Sequence, residues 1–535
     1  MWTMRLLAIL LMLTAFAGCL GGDDPAPEPE PTPTPEPSAE PDWARRAIYG
    51  PDFAAQDPGS PVAHDHSDRS LHQGLSTPNF RVLGHAPLGT DHHGQSAGGY
   101  YCGEVGGDDR RLAVVNSFTS EVAVVVVDVT DPAAPQKLGE LVLPNTQIYD
   151  SAITDDGQFA VLATSPLAPI THEDGAQTYR ERPVWRDACG AETQGPEDVL
   201  PFVSGTLLVD LRDPSVPAVE DFVPSPAIGP HSVSTTEVDG TRYVVSSTTN
   251  LAYTASYFSI HTVEDLLGQG KLLPYGVHSA HYVPPADDPS DPVGALALLN
   301  GHVDGTIAKN PVTGDTLAYL ANWDGGLITV RLDGPGQLTE LSTWGARDPD
   351  RTPDATGVIH SAQPLPEQWN DRAVVITGQE VGGNIGGDTP RPTGQVVVLD
   401  VSDPEAPEAL AKWTIPVDFT WSGNLHFSTH YPAMVEDTLF VATYHGGVWA
   451  ADASPEQWPD LPSLGVFIPV GEPEGGQAAT DTGYAPYVLD VLAEPEGYLV
   501  VFDSTSGAYT VAFEDDRSVA PAAPWMDNPF IGSRA

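Results

Sequence analysis

Residues 124–135 read VVVVDVTDPAAP, and the phrase returns as TLLVDLRDPSVP at 206–217 and VVVLDVSDPEAP at 396–407. Each copy is a β-branched or aliphatic run, then Asp, then an Asp-Pro-x-x-Pro turn. A short half-apolar strand follows, as in KLGELVLP at 137–144 and ALAKWTIP at 409–416. Aliphatic runs of this length, bounded by Asp and Pro, form strands that end in tight turns. A unit of a few short strands cannot bury its apolar faces alone, so neighbouring copies must stack to make a core. The repeat decides the architecture and leaves the chemistry open.

Outward from these copies the chain keeps the same texture. Helical periodicity is nearly absent, the one modest candidate being Val263 to Gly268, and 52 Gly and 53 Pro among 535 residues supply turns. Repeats of this kind, each with about four strands, predict an all-β, seven-bladed β-propeller. Three strands at 484–514 lack a fourth, and FRVLGHAPLG at 80–89 matches the missing outer strand, so N- and C-terminal strands should close the ring. GVHSAHYVPPADDPSDPVGALALLNG at 276–301 parallels GVIHSAQPLPEQWNDRAVVITG at 357–378. It is read as an insertion in blade four, or else as the remnant of an eighth blade.

The repeated phrase resembles the LVIVD repeat of secreted and surface β-propellers from archaea and bacteria. The resemblance covers roughly residues 80–514 and has decayed in LITVRLDGPG at 327–336, where Arg331 replaces the Asp, and in VWAADASPEQ at 448–457. It implies a propeller and a surface location, and it carries no catalytic residue. Asp128, Asp210 and Asp400 are expected to cap backbone amides at the strand ends, a structural role.

The chain ends assign a place to the body. Arg5, the apolar run Leu6 to Phe16 and Phe16-Ala17-Gly18-Cys19 read as a signal peptide over 1–19, and the last four residues resemble a lipobox with Cys19 as the lipidated residue. The alternative is an uncleaved anchor helix. Residues 20–77 are a Pro/Glu/Thr-rich stalk followed by an irregular His-rich segment, 78–516 the propeller with an insertion at 165–204, and 517–535 a tail. The expected location is extracytoplasmic, with the membrane as partner through the lipid. A formal charge of −50 with four lysines argues against nucleic acid as a partner. The expected state is a monomer, and the remaining partner a protein, glycan or small-molecule ligand. Cys102 and Cys189 show no CxxC spacing, so they form a disulfide in an oxidising compartment or stay as two buried thiols.

Histidines recur at the predicted blade starts. His231, His360 and His426 each stand 17 residues before Thr248, Thr377 and Thr443, and His278 in GVHSA is the expected fourth member. Connections between blades and the loops after each second strand open on one face, where Asn250, His302 or Asp324, Glu380 and His445 join them, with His430 on the strand face of His426. Imidazoles and a carboxylate converging at the axis suit Zn, Cu or Fe. The competing reading is a set of turn histidines hydrogen-bonded to neighbouring blades. In the insertion, Arg182, Trp185 and Arg186 gather cations and an aromatic in an acidic chain, a composition suited to ligand binding. No nucleophile elbow or P-loop is present, and GGNIGG at 382–387 has no helix after it to bind phosphate. The combined expectation is a lipid-anchored binding module with a His-lined site at the channel mouth. The alternative is a metal-dependent surface oxidase or hydrolase.

Overall fold

The computed structural model divides the chain into two units, Met1–Glu40 and Pro41–Ala535. It describes the strands and most of their turns between residues 76 and 515. Outside the described residues lie 1–75, 89–100, most of 167–204, 281–302, 346–358, 381–393, 416–427, 470–486 and 516–535, with shorter stretches between them.

Seven antiparallel four-stranded sheets make the body, which is a seven-bladed, all-β propeller. Blade 1 runs Tyr101–Gly106, Leu112–Ser117, Val122–Asp128 and Gln136–Val142, from the inner strand to the outer. Blade 2 is Thr146–Ile153, Phe159–Pro166, Gly205–Asp210 and Ala218–Pro224. Blade 3 is Pro230–Val238, Thr241–Thr248, Ser256–Thr262 and Gly276–Ala280, with a short helix, Val263–Gly268, before its last strand. Blade 4 is Asp304–Lys309, Thr316–Asn322, Gly326–Gly334 and Gln337–Trp344. Blade 5 is Ile359–Pro364, Val374–Gln379, Val396–Asp400 and Glu408–Trp413, and blade 6 is Pro432–Val435, Thr438–Ala442, Val448–Asp452 and Ser463–Phe467. Blade 7 takes Val488–Ala493, Leu499–Asp503 and Gly507–Phe513 from the C-terminal end and Phe80–Ala86 as its outer strand.

The three-plus-one closure therefore forms as the pattern of 80–89 requires, with Phe80 opposite Phe513 and Ala86 opposite Ala508. The reading of 276–301 is corrected at its start, GVHSA, and 281–301 lie outside the described residues. GVHSA is neither a blade-four insertion nor an eighth blade; it pairs with the third strand of blade 3, His278 opposite Phe258. GVHSA matches GVIHSA only in composition. Without it blade 3 would have three strands, and an unpaired edge is completed by the next stretch of chain that can supply one.

Each core lies between two blades. Leu112, Val114 and Val126 of blade 1 pack on Leu162, Leu207 and Val209 of blade 2, and the clusters continue around the ring to Val448 and Leu499 at the 6/7 seam and Val125 and Phe502 at the 7/1 seam. Central strands are covered on both faces, which is why they read as unbroken aliphatic runs. The repeated turn has a second role. In all three copies both aspartates accept an amide two residues on: Asp128 from Thr130 and Asp131 from Ala133, Asp210 from Arg212 and Asp213 from Ser215, Asp400 from Ser402 and Asp403 from Glu405. The turn so shaped presents a Pro carbonyl to the preceding blade. Thr510 of blade 7 donates to Pro132, and Ser342 of blade 4 donates to Pro404 at 2.6 Å. The decayed copy in blade 6 keeps the cap, Asp452 accepting from Ser454 at 3.0 Å.

Candidate metal site at the channel mouth

Four of the seven inner strands share a bulge near their first residue, where the chain faces the axis. The register skips one residue between Ile148 and Asp150, Pro230 and Ser232, Ile359 and Ser361, and Val488 and Asp490. The bulged residues are Tyr149, His231, His360 and Leu489. Bulges re-aim a side chain without ending the ladder.

The blade 6 counterpart is His430. The Gln379 and Thr443 amides each donate to the residue just ahead of the third strand, Gln395 at 2.9 Å and Gly447 at 2.8 Å, so these two positions correspond. Opposite them, His430 donates to Ala442 and Ala442 to Tyr431, which places His430 where His360 stands in blade 5. The 17-residue spacing is thus a correction: it aligns Thr377 with Thr443, whereas the ladder aligns Gln379. His426 lies outside the described residues, as do His302 and His445. His278, on the outer strand of blade 3, is not on a channel-lining strand. In blade 4, the Val303 amide donates to Ala321, giving Val303 the place the histidines hold elsewhere.

A second set of positions follows each second strand. Trp323 of blade 4 bridges Ile359 of blade 5, and Tyr444 of blade 6 bridges Val488 of blade 7. Both residues are left-handed, with φ of 30° and 52°. Glu380 holds the same place in blade 5, directly after Gln379.

These two sets bring His360, Glu380 and His430 together, with one ligand-type atom from each lying within 4.8 Å of the others. His360 Nε2 is 3.5 Å from Glu380 Oε2, long for a hydrogen bond. Two ligands each about 2.1 Å from a tetrahedral ion stand about 3.4 Å apart. The His360 and His430 ring centroids are 4.3 Å apart. His430 Nδ1 lies 2.7 Å from the Leu489 carbonyl. A carbonyl only accepts, so Nδ1 carries the proton and Nε2 keeps its lone pair, the tautomer a metal requires. Ser361 fixes the backbone here by donating to the His430 carbonyl at 3.3 Å, and Thr429 by donating to that of Gln379. Gly378 permits this approach, since a Cβ there would sit 2.4 Å from the His430 carbonyl oxygen.

His360 and His231 are held neutral. Burial pushes His360 down to about 3, and His231 adds to the depression. Burial also lowers His231, against the Glu380 carboxylate, which raises it. His231 adjoins the group, its ring 6.3 Å from that of His360 and stacked on Tyr149 at 5.6 Å. Its Nδ1 stands 3.4 Å from the Val303 carbonyl. His360 Nδ1 is buried without a hydrogen-bond partner among the described residues.

Tyr444 was missed in the sequence. Its hydroxyl donates to Glu380 Oε1, and its ring lies 5.0 Å from His430. A His-Gly-Gly turn after it, inviting a left-handed residue before the third strand, was the available signal. Elsewhere, Val184–Arg186, which includes Trp185, pairs with Glu192–Gln194 in the loop after the second strand of blade 2. Arg182, Cys189 and Cys19 lie outside the described residues, and Cys102 is on the inner strand of blade 1.

No family model matches the chain, and no curated protein matches it. Among solved structures it is similar to Sqt1 of Saccharomyces cerevisiae, at 12% identity over 78% of this chain and 99% of that one, with a TM-score of 0.41. It is also similar to the beta-propeller domain of Cps50 (Swd1) of Myceliophteria thermophila, at 10% identity over 78% and 98%, with a TM-score of 0.40.

Proposed function

We propose that this chain is a lipid-anchored, extracytoplasmic propeller of the LVIVD-repeat type. It acts as a binding module whose channel mouth holds a transition metal, Zn, Cu or Fe, between His360, Glu380 and His430. The observation that carries the metal reading is the convergence of two imidazoles and a carboxylate within 4.8 Å of one another. Two imidazole nitrogens and one carboxylate oxygen form a borderline-soft set suited to these ions. Elemental analysis of the purified protein tests it: about one metal per chain is expected, falling below a tenth of that in a His360→Ala, His430→Ala double variant. Unchanged metal content in the double variant overturns the reading.

The anchor and location rest on Cys19 and the residues before it. Cys19→Ala should abolish incorporation of labelled fatty acid and release the protein from the membrane. The bound partner is a protein, glycan or small molecule reaching the mouth, with Arg182, Trp185 and Arg186 as contact residues. A second reading, a metal-dependent hydrolase or oxidase, is favoured by the number of ligands among the described residues. Three leave a position at the metal for water or substrate, as catalytic sites require. Metal-dependent turnover lost on chelation and restored by metal would select it.

A further inference from the structure

We infer that Tyr444 makes Glu380 a single-oxygen ligand and so keeps one coordination position free for a small Lewis-basic ligand from solution. This rests on the metal reading of His360, Glu380 and His430.

A carboxylate can occupy one position of a metal or, by chelating through both oxygens, two. Here the two oxygens have different partners. Oε1 accepts the Tyr444 hydroxyl, whereas Oε2 faces His360 Nε2 at 3.5 Å. Chelation would require Oε1 to leave that hydroxyl, and the hydroxyl is firmly held. The Tyr444 amide donates to the Val488 carbonyl at 2.8 Å, and the Val488 amide donates back at 3.0 Å. The Tyr444 ring packs on Tyr487 at 4.9 Å and on His430 at 5.0 Å, and the residue is 3% exposed. With Glu380 confined to one oxygen, the described residues supply three donor atoms, and a four-coordinate ion held by them has one position left.

Access is also built in. The His360 side chain is 2% exposed and His430 5%, whereas that of Glu380 keeps 14%. The free position therefore opens beside the carboxylate, where a monodentate donor such as water, a carboxylate or a phenolate can enter.

The test uses the full chain in detergent, loaded with Co2+, with azide as the probe and the visible ligand-field spectrum as the readout. Wild type should bind one Co2+ and then azide. Tyr444→Phe keeps the ring contacts and should bind Co2+ with the same stoichiometry, but its azide dissociation constant should rise at least about tenfold, as Oε1 swings onto the metal. Equal azide affinity in both proteins overturns the inference and leaves the metal reading intact. Loss of Co2+ from Tyr444→Phe also overturns it, because Tyr444 would then be needed for ligation itself. A wild type that binds no Co2+ removes the metal reading beneath it.

Discussion

Two buried groups give the apoprotein opposite responses to acid. Asp304, on the inner strand of blade 4, is pushed up to about 6 by burial, although the Gly305 and Ala362 amides donate to its carboxylate. The folded state therefore holds this proton more tightly than the unfolded chain, and stability is lost as the pH rises from about 4 to 6. His360, held down to about 3, works the other way. Below about 6.5 the unfolded chain takes up a proton that the folded state refuses, so stability falls on acidification. In Asp304→Asn only the histidine contribution remains, and stability should drop more steeply between pH 6.5 and 4 than in wild type. The difference should be on the order of 2–3 kcal/mol by denaturant titration of the apoprotein. Parallel pH profiles would reject a carboxyl titrating near 6. His231, His360 and Glu380 were legible because a polar residue recurring at the same place in a repeat stands out. Asp304 and its blade 2 counterpart Asp150, which accepts from Val233 of blade 3 at 3.0 Å, were not. Each latches to the next inner strand, a contact that no local pattern announces.

The Asp-Pro-x-x-Pro turn shows how far an element can be read from its own residues. Its capping aspartates and its position after a strand were plain, because Asx turns and the fixed φ of proline are local. Its docking onto the preceding blade was hidden, because the other half of the contact lies in an unrelated stretch of sequence. Gly139, on the outer strand of blade 1, marks that contact. A Cβ there would stand 2.6 Å from the Pro214 carbonyl oxygen and 2.7 Å from that of Ser215, both backbone atoms of the blade 2 turn. Backbone in a capped turn yields little, so Gly139→Ala should destabilise by about 1–3 kcal/mol, read as a lower midpoint in denaturant. Gly314 is the control: it turns between strands of blade 4 with nothing within 4 Å of a Cβ. There Ala meets only the strain of its positive φ, 78°, about 1 kcal/mol. If Gly139→Ala proved the milder change, the turn would not be a seam contact. GVHSA failed for a related reason. Its composition fits an inner strand, and only the unfilled edge of blade 3 assigns it to the rim.

At the scale of the whole ring, closure depends on one short stretch near the start of the described chain. Ser76 and Thr77 first lie along the outer strand of blade 6, the Thr77 amide donating to Val466 at 2.9 Å and the Ile468 amide to Ser76 Oγ at 3.0 Å. The chain then turns, and Phe80–Ala86 becomes the outer strand of blade 7, with the Phe80 ring tilted against that of Phe513 at 4.8 Å. One segment thus covers two edges, and blade 7 also supports the candidate metal group, through the Leu489 carbonyl on His430 and the Val488 bridge to Tyr444. Closure and site are therefore linked: whatever loosens blade 7 loosens the tautomer lock on His430. Deleting residues 1–74 leaves every one of these contacts, and the protein should keep its melting temperature and its metal. Deleting residues 1–87 removes the outer strand and exposes the third strand of blade 7 as an open edge, a template for pairing with other chains. That protein should unfold over a broader, lower range, associate through the new edge, and bind metal at least about tenfold more weakly. Calorimetry, sedimentation and metal titration read the three effects separately. If the longer deletion melted like the shorter one and kept its metal affinity, the strand would be an appendage to a ring already complete without it.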